Sequence, residues 1–168
     1  MYQTGDKVIY GMHGVCVVVD LEKRRADGRQ VTYLVLEPSG QPGSRYLVPT
    51  HNAAAMAKVR PMLSGEALEE LLSSGSVKED AWISDENRRK QYYRELITSC
   101  DRQRLAQMIC SLYRYRGMQS AAGKRLHMCD ENFLRDAEKL LAGEIAVTLS
   151  VSSQEALKYL RSKLKEDA

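Results

Sequence analysis

An α+β chain is predicted, a small SH3-like β-barrel at the N terminus followed by an α-helical bundle. Residues 1–60 hold short runs rich in Val, Ile, Tyr and Leu, separated by turn residues, which is the signature of short strands. From Ser64 onward apolar residues recur three and four apart, the period of an amphipathic helix. The length of 168 residues fits one domain or two small ones. It is too short for a multidomain machine or for a motor with its own nucleotide-binding core. Hydrophobic residues make up 43% and charged residues 28%, which excludes a disordered, collagenous or membrane-embedded chain.

Strands are expected at 6–10, 14–21, 30–36 and 44–48. Asp27-Gly28 joins the second and third as a tight hairpin turn, because glycine adopts the positive φ that such a turn demands. The stretch Pro38-Ser39-Gly40-Gln41-Pro42-Gly43 is too heavily punctuated to be anything but a loop. One helical turn at 53–57 and a short strand at 58–60, stopped by Pro61, complete the barrel. Sixty residues lie near the lower limit for a self-supporting core.

The first helix carries Ala67, Leu68, Leu71 and Leu72 on one face and ends near Ser73-Ser74-Gly75. Residues 73–83 read as a linker with Trp82 at its end. Ser84 is placed as the cap of a second helix to about Ser99, with Asp85 and Glu86 at the positive end of its dipole. Asp101 caps a third, in which Leu105, Met108, Ile109 and Leu112 form a stripe, and Gly117 to Gly123 are expected to break it. A longer helix spans about 130–149. Ser152-Ser153-Gln154-Glu155 is a capping box that opens the last one. The expected boundaries are thus a barrel at 1–62, a connecting helix and linker at 63–83, and a helical domain at 84–168.

Little points to catalysis. Cys16, Cys100, Cys110 and Cys129 form no CxxC pair, and His13, His51 and His127 form no metal-binding spacing, so neither a zinc site nor a disulfide framework is expected. No Walker A, dinucleotide or nucleophile-elbow motif is present. A binding protein with no cofactor, no metal and no small-molecule substrate is the expectation. The longest strongly apolar stretch, Val15 to Val19, is far short of a bilayer span, and residues 1–20 show no secretory pattern. A cytoplasmic location away from membranes follows as an expectation.

The net charge of +3 conceals a strong asymmetry. Residues 61–87 carry −6, whereas residues 88–126 carry +8. Concentrated positive charge on a helical segment is the footprint of phosphate binding, or else a solvated face neutralised by its acidic neighbour.

The opening Gly5-Asp6-Lys7-Val8-Ile9-Tyr10-Gly11-Met12-His13-Gly14-Val15 resembles the start of the CarD-like family of bacterial transcription regulators. So do Tyr33-Leu34-Val35-Leu36 and Val48-Pro49-Thr50-His51-Asn52-Ala53. In the helical half, Arg88-Arg89, Leu112-Tyr113 and Ala137-Glu138-Lys139-Leu140-Leu141 are similar to the family's C-terminal domain. The resemblance implies a Tudor-like barrel that binds the β subunit of RNA polymerase. It further implies a helical domain that contacts promoter DNA at the upstream edge of the transcription bubble, where a Trp enters the minor groove and stabilises the open complex. A Gly-Asp-x-Val opening also begins KOW-type barrels, so an RNA-binding or ribosome-associated module is the alternative, and a pure protein adaptor is a third.

Carried onto this chain, the resemblance gives Arg24 as a polymerase-facing residue. A second family arginine falls on Leu47, and Arg45, two residues earlier, is its candidate replacement. Trp82 is the candidate for minor-groove insertion, although five residues separate it from Arg88 where several relatives have the two adjacent. A Trp just before a helix equally serves as a hydrophobic staple onto its own bundle. Arg88, Arg89, Lys90 and Arg94, near a helix start, and Lys124 and Arg125, in the loop before the long helix, are the candidate DNA contacts. Tyr92, Tyr93, Tyr113 and Tyr115 read as packing residues in preference to base-stacking ones.

Overall fold

The computed structural model describes residues 1–165. It divides into two compact units, Met1–Met62 and a second that begins at Leu63. The first unit contains strands β1 (Lys7–Tyr10), β2 (Val15–Ala26), β3 (Arg29–Pro38), β4 (Tyr46–Pro49) and β5 (Val59–Pro61), with the short helix α1 (Ala53–Met56) between the last two. All pairings are antiparallel, in the order β4-β3-β2-β1-β5. The strands enclose Val8, Cys16, Val18, Leu34, Leu36, Val48 and Val59, and β4 and β5 are the two edges of this Tudor-like sheet. Burial pushes the Cys16 thiol up to about 11, so it packs as a small apolar side chain.

Two local features set the register. Asp27 and Gly28 have φ of 50° and 75°, the paired positive values of a two-residue hairpin turn. The β2–β3 pairing also skips a residue between Val18 and Asp20. Strict alternation from the buried Val18 would aim Asp20 at the core. The bulge at Val19 turns Asp20 outward, opposite Val35, at the cost of one unpaired residue. The arms also run further than the sequence predicts, to Ala26 instead of Leu21. Glu22 to Arg25 place charge on both faces, so no hydrophobic alternation marks them as strand.

The second unit contains α2 (Gly65–Ser73), α3 (Glu86–Ser99), α4 (Arg102–Ala121), α5 (Met128–Leu149) and α6 (Ser153–Leu164), with a 3₁₀ turn at Gly75–Lys78. Each start but one is closed by a side chain. Ser64 accepts from Ala67 N, Asp85 from Arg88 N and Asp101 from Arg104 N, and Ser152 and Glu155 form the reciprocal box. The cap of α3 is therefore Asp85 and not Ser84. α4 is the central helix: Leu105, Ala106, Met108, Ile109, Cys110, Ser111, Leu112 and Tyr113 are all buried, which is more than a one-sided stripe and marks a helix covered all round. Around it pack Leu68 and Leu72 of α2, Tyr93 and Leu96 of α3, Leu134 and Ile145 of α5, and Leu160 of α6. Gly117 does not break α4; it lies on an exposed turn, where a helical glycine costs only about 1 kcal/mol.

The segment 63–83 is not a connector. It belongs to the helical unit, with Leu68, Leu72 and Val77 buried. α4 holds its backbone: Ala81 N donates to Ser111 Oγ at 3.2 Å, and Arg114 Nη2 donates to Lys78 O at 2.9 Å. The polar Ser-Ser-Gly composition concealed this, because one apolar anchor and several backbone hydrogen bonds leave no periodic signal.

Buried charge is paired. Glu144 accepts from Arg102 Nε at 2.8 Å and from the Leu63 amide at 3.1 Å. Glu138 accepts from the Tyr113 hydroxyl and from Arg161. Among the described residues, the Tyr93 hydroxyl is the buried side-chain polar atom without a partner. An orphaned hydroxyl costs about 1–3 kcal/mol of desolvation. Tyr93→Phe is therefore expected to leave the unfolding midpoint unchanged or raised; a loss above about 1 kcal/mol would show that the hydroxyl has a partner in solution.

No helix among the described residues is long and apolar enough to cross a membrane, and none of their His, Cys, Asp and Glu side chains cluster as a metal site.

Candidate functional site

In the N-terminal unit, the sheet brings Arg24 and Leu47 to one face. Residues directly opposite in a ladder share a face. Leu47 pairs with Val35 and Val35 with Asp20; Pro49 pairs with Tyr33 and Tyr33 with Glu22; Val31 pairs with Arg24. The result is an apolar strip in which Val35 is buried and Leu47, Tyr33, Pro49 and Val31 are at least partly exposed, flanked on β2 by Asp20, Glu22 and Arg24. Leu47 is 39% exposed, high for a leucine on a sheet. Arg45 is exposed just before β4. Arg24 donates from Nε to Glu22 at 2.7 Å. An exposed pair of this kind contributes at most about 1 kcal/mol, so Arg24 remains free to exchange partners. β4, as an edge strand, also presents an unpaired backbone row, which is a template for a further strand.

In the C-terminal unit, Trp82 is half-buried and is neither a bare wedge nor a core residue. Asp80 Oδ1 accepts from its backbone N–H at 3.1 Å. Its ring stacks on Tyr115 of α4, with centroids 3.6 Å apart and planes 19° apart. The Arg89 guanidinium lies over the indole, 4.4 Å from its centroid. Two groups at these distances cannot occupy one face without overlapping, so they cover opposite faces.

Arg89 is not available to a phosphate as the sequence predicts. It is 3% exposed. Its Nε and Nη2 donate to the two carboxylate oxygens of Asp130 at 3.0 and 2.9 Å, and Nη1 donates to Ile83 O at 2.9 Å. Asp130, in the first turn of α5, is fully buried. The hydrogen bonds to Asp130 raise the Arg89 pKa against the opposing effect of burial.

The other cations divide into two groups. Lys90 is paired with Glu86 one turn earlier at 2.7 Å, and Arg116 and Arg114 approach Glu131 and Asp80. Arg88, Arg94, Lys124 and Arg125 are exposed and make no salt bridge among the described residues. The amides at the α3 start do not form an empty anion site, because the Asp85 carboxylate accepts from Arg88 N at 2.8 Å.

Trp82, Arg88, Arg89, Lys124 and Arg125 lie where the start of α3, the end of α4 and the start of α5 meet, whereas Arg94 lies midway along α3. Arg89 ties α3 to α5 and Trp82 ties the approach to α3 onto α4. Lys124 N donates to Gln119 O at 2.8 Å, while Gln119 bonds the Tyr115 hydroxyl. Tyr93 and Tyr113 are buried and Tyr92 and Tyr115 half-buried, consistent with packing roles. Sequence reading missed Asp130 as the partner of Arg89. It lies 41 positions from Arg89, and no local spacing links them.

A family model for the CarD-like/TRCF RID domain matches residues 2–60, and one for the CarD C-terminal domain matches residues 67–161.

Proposed function

The chain belongs to the CarD-like family of RNA polymerase-interacting transcription regulators, and from that membership we propose a two-handed role at the promoter. The β2–β3–β4 face docks on the polymerase β subunit through Leu47, Arg24 and Arg45. The helical unit meets promoter DNA at the upstream edge of the bubble and alters the stability of the open complex. Arg88, Arg94, Lys124 and Arg125 contact phosphates, with Lys90 joining them if it exchanges Glu86 for the backbone. Trp82 enters the minor groove. The observation that carries the DNA reading is the half-exposed Trp82 at the junction where the exposed Arg88, Lys124 and Arg125 make no salt bridge among the described residues.

Four phosphate contacts give a log–log salt slope of roughly −4 for duplex binding. Free DNA is therefore bound weakly at physiological salt, and polymerase supplies the placement. No base-reading helix is needed, since phosphate contacts fix position without reading sequence.

Affinity capture tests the polymerase half. The protein is expected to retain the β subunit from a bacterial lysate, and Arg24→Glu to weaken that retention without changing the melting temperature. Reversing an interface charge costs about 2–5 kcal/mol of binding, whereas a surface reversal near a hairpin tip alters stability by about 0.5 kcal/mol or less. Undiminished capture by Arg24→Glu would move the contact off this face. Selective recovery of structured RNA would favour a KOW-type role.

A further inference from the structure

We propose that Arg89, Asp130 and Tyr115 form a clamp that fixes the indole of Trp82 with both faces covered, so that only its edge is presented to DNA. This rests on the promoter reading above. The geometry around the indole is specific. Tyr115 covers one face at 3.6 Å and the Arg89 guanidinium the other at 4.4 Å. The guanidinium plane is itself set by the two-point bond to the buried Asp130 and by the Ile83 carbonyl. A lysine offers a point charge and cannot make that fork while lying flat against a ring. Asp130 is thus a positioning residue acting at third hand, through Arg89, on Trp82.

The covered faces have a mechanistic consequence. An indole that intercalates needs a free face to stack on a base. Trp82 has none unless it leaves the clamp, so it acts as a rigid blade whose orientation is settled before DNA arrives. Ordering the side chain in advance removes an entropic cost from binding. The Arg-Arg pair at 88–89 therefore divides its labour: Arg88 faces solvent as a phosphate contact, and Arg89 faces inward as the holder of the blade.

Trp82 is the single tryptophan among nine tyrosines, which makes the clamp directly readable. Selective excitation of the indole in Arg89→Lys and in Tyr115→Leu is expected to show red-shifted emission and increased acrylamide quenching relative to wild type. Polymerase–promoter complexes formed with Arg89→Lys should show the altered open-complex lifetime of Trp82→Ala, and adding Arg89→Lys to Trp82→Ala should change nothing further. Unchanged emission in both variants would overturn the clamp. So would an Arg89→Lys effect that persists in full when residue 82 is already alanine, since Arg89 would then be contacting DNA itself. If Arg89→Lys does not fold, Tyr115→Leu, at a half-exposed position, carries the same comparison. A Trp82→Ala protein with wild-type lifetime overturns the promoter reading instead. It is distinguishable from clamp failure, in which Trp82→Ala alters the lifetime and Arg89→Lys does not.

Discussion

Asp130→Ala is expected to destabilise the helical unit by about 3–5 kcal/mol, because it strands the Arg89 guanidinium in the interior without its counter-charge. Arg89 is 3% exposed and Asp130 fully buried, so solvent cannot replace the lost carboxylate without local unfolding. Against a typical total of about 5–15 kcal/mol, the loss is large enough to appear in any equilibrium urea titration. The pair itself need not be a net source of stability. Arg89→Met combined with Asp130→Leu should recover most of the loss, since removing both charges leaves no uncompensated ion. Equal instability of the single and double variants would show that packing at these positions, and not charge pairing, sets the cost.

Trp82→Ala is expected to shorten the lifetime of promoter open complexes while sparing polymerase capture. An alanine has no surface with which to hold a groove open. The half-buried position makes the stability cost intermediate. Loss of one aromatic stack and one cation–π contact amounts to about 1–2.5 kcal/mol, below the roughly 3–5 kcal/mol of a fully buried aromatic. Lifetime and melting temperature measured on the same protein separate the contributions. A melting temperature lowered as far as for a core deletion, with a normal lifetime, would reduce Trp82 to a staple.

Features of the fold whose causes lie close together in the chain were legible from sequence. Asp27-Gly28 forms the expected turn, and Ser152 with Glu155 forms the expected capping box. The apolar periodicity of α2, α4 and α5 identified the bundle. Features whose causes are tertiary were not. The bulge at Val19 resolves a conflict between Val18 and Asp20 that only strand pairing creates. Residues 74–81 are ordered by side chains of α4 that reach their backbone, so their own composition gave no sign of it. Arg89 looked identical to Arg88 as a helical cation. Its partner stands on another helix, and only the fold distinguishes the inward arginine from the outward one. Leu47 shows the reverse case: where the resemblance places an arginine, the structure has an exposed leucine beside the buried Val35 and the partly exposed Tyr33 and Pro49.

The promoter account is tested most directly by crosslinking. A photoreactive amino acid at the exposed position Asn87, beside Arg88 in the first turn of α3, is incorporated into otherwise wild-type protein and bound to polymerase open complexes. The account predicts crosslinks to DNA confined to a few nucleotides at the upstream edge of the bubble, lost when polymerase is omitted at physiological salt. Crosslinks to protein alone, or DNA crosslinks scattered along the duplex whether or not polymerase is present, would contradict it.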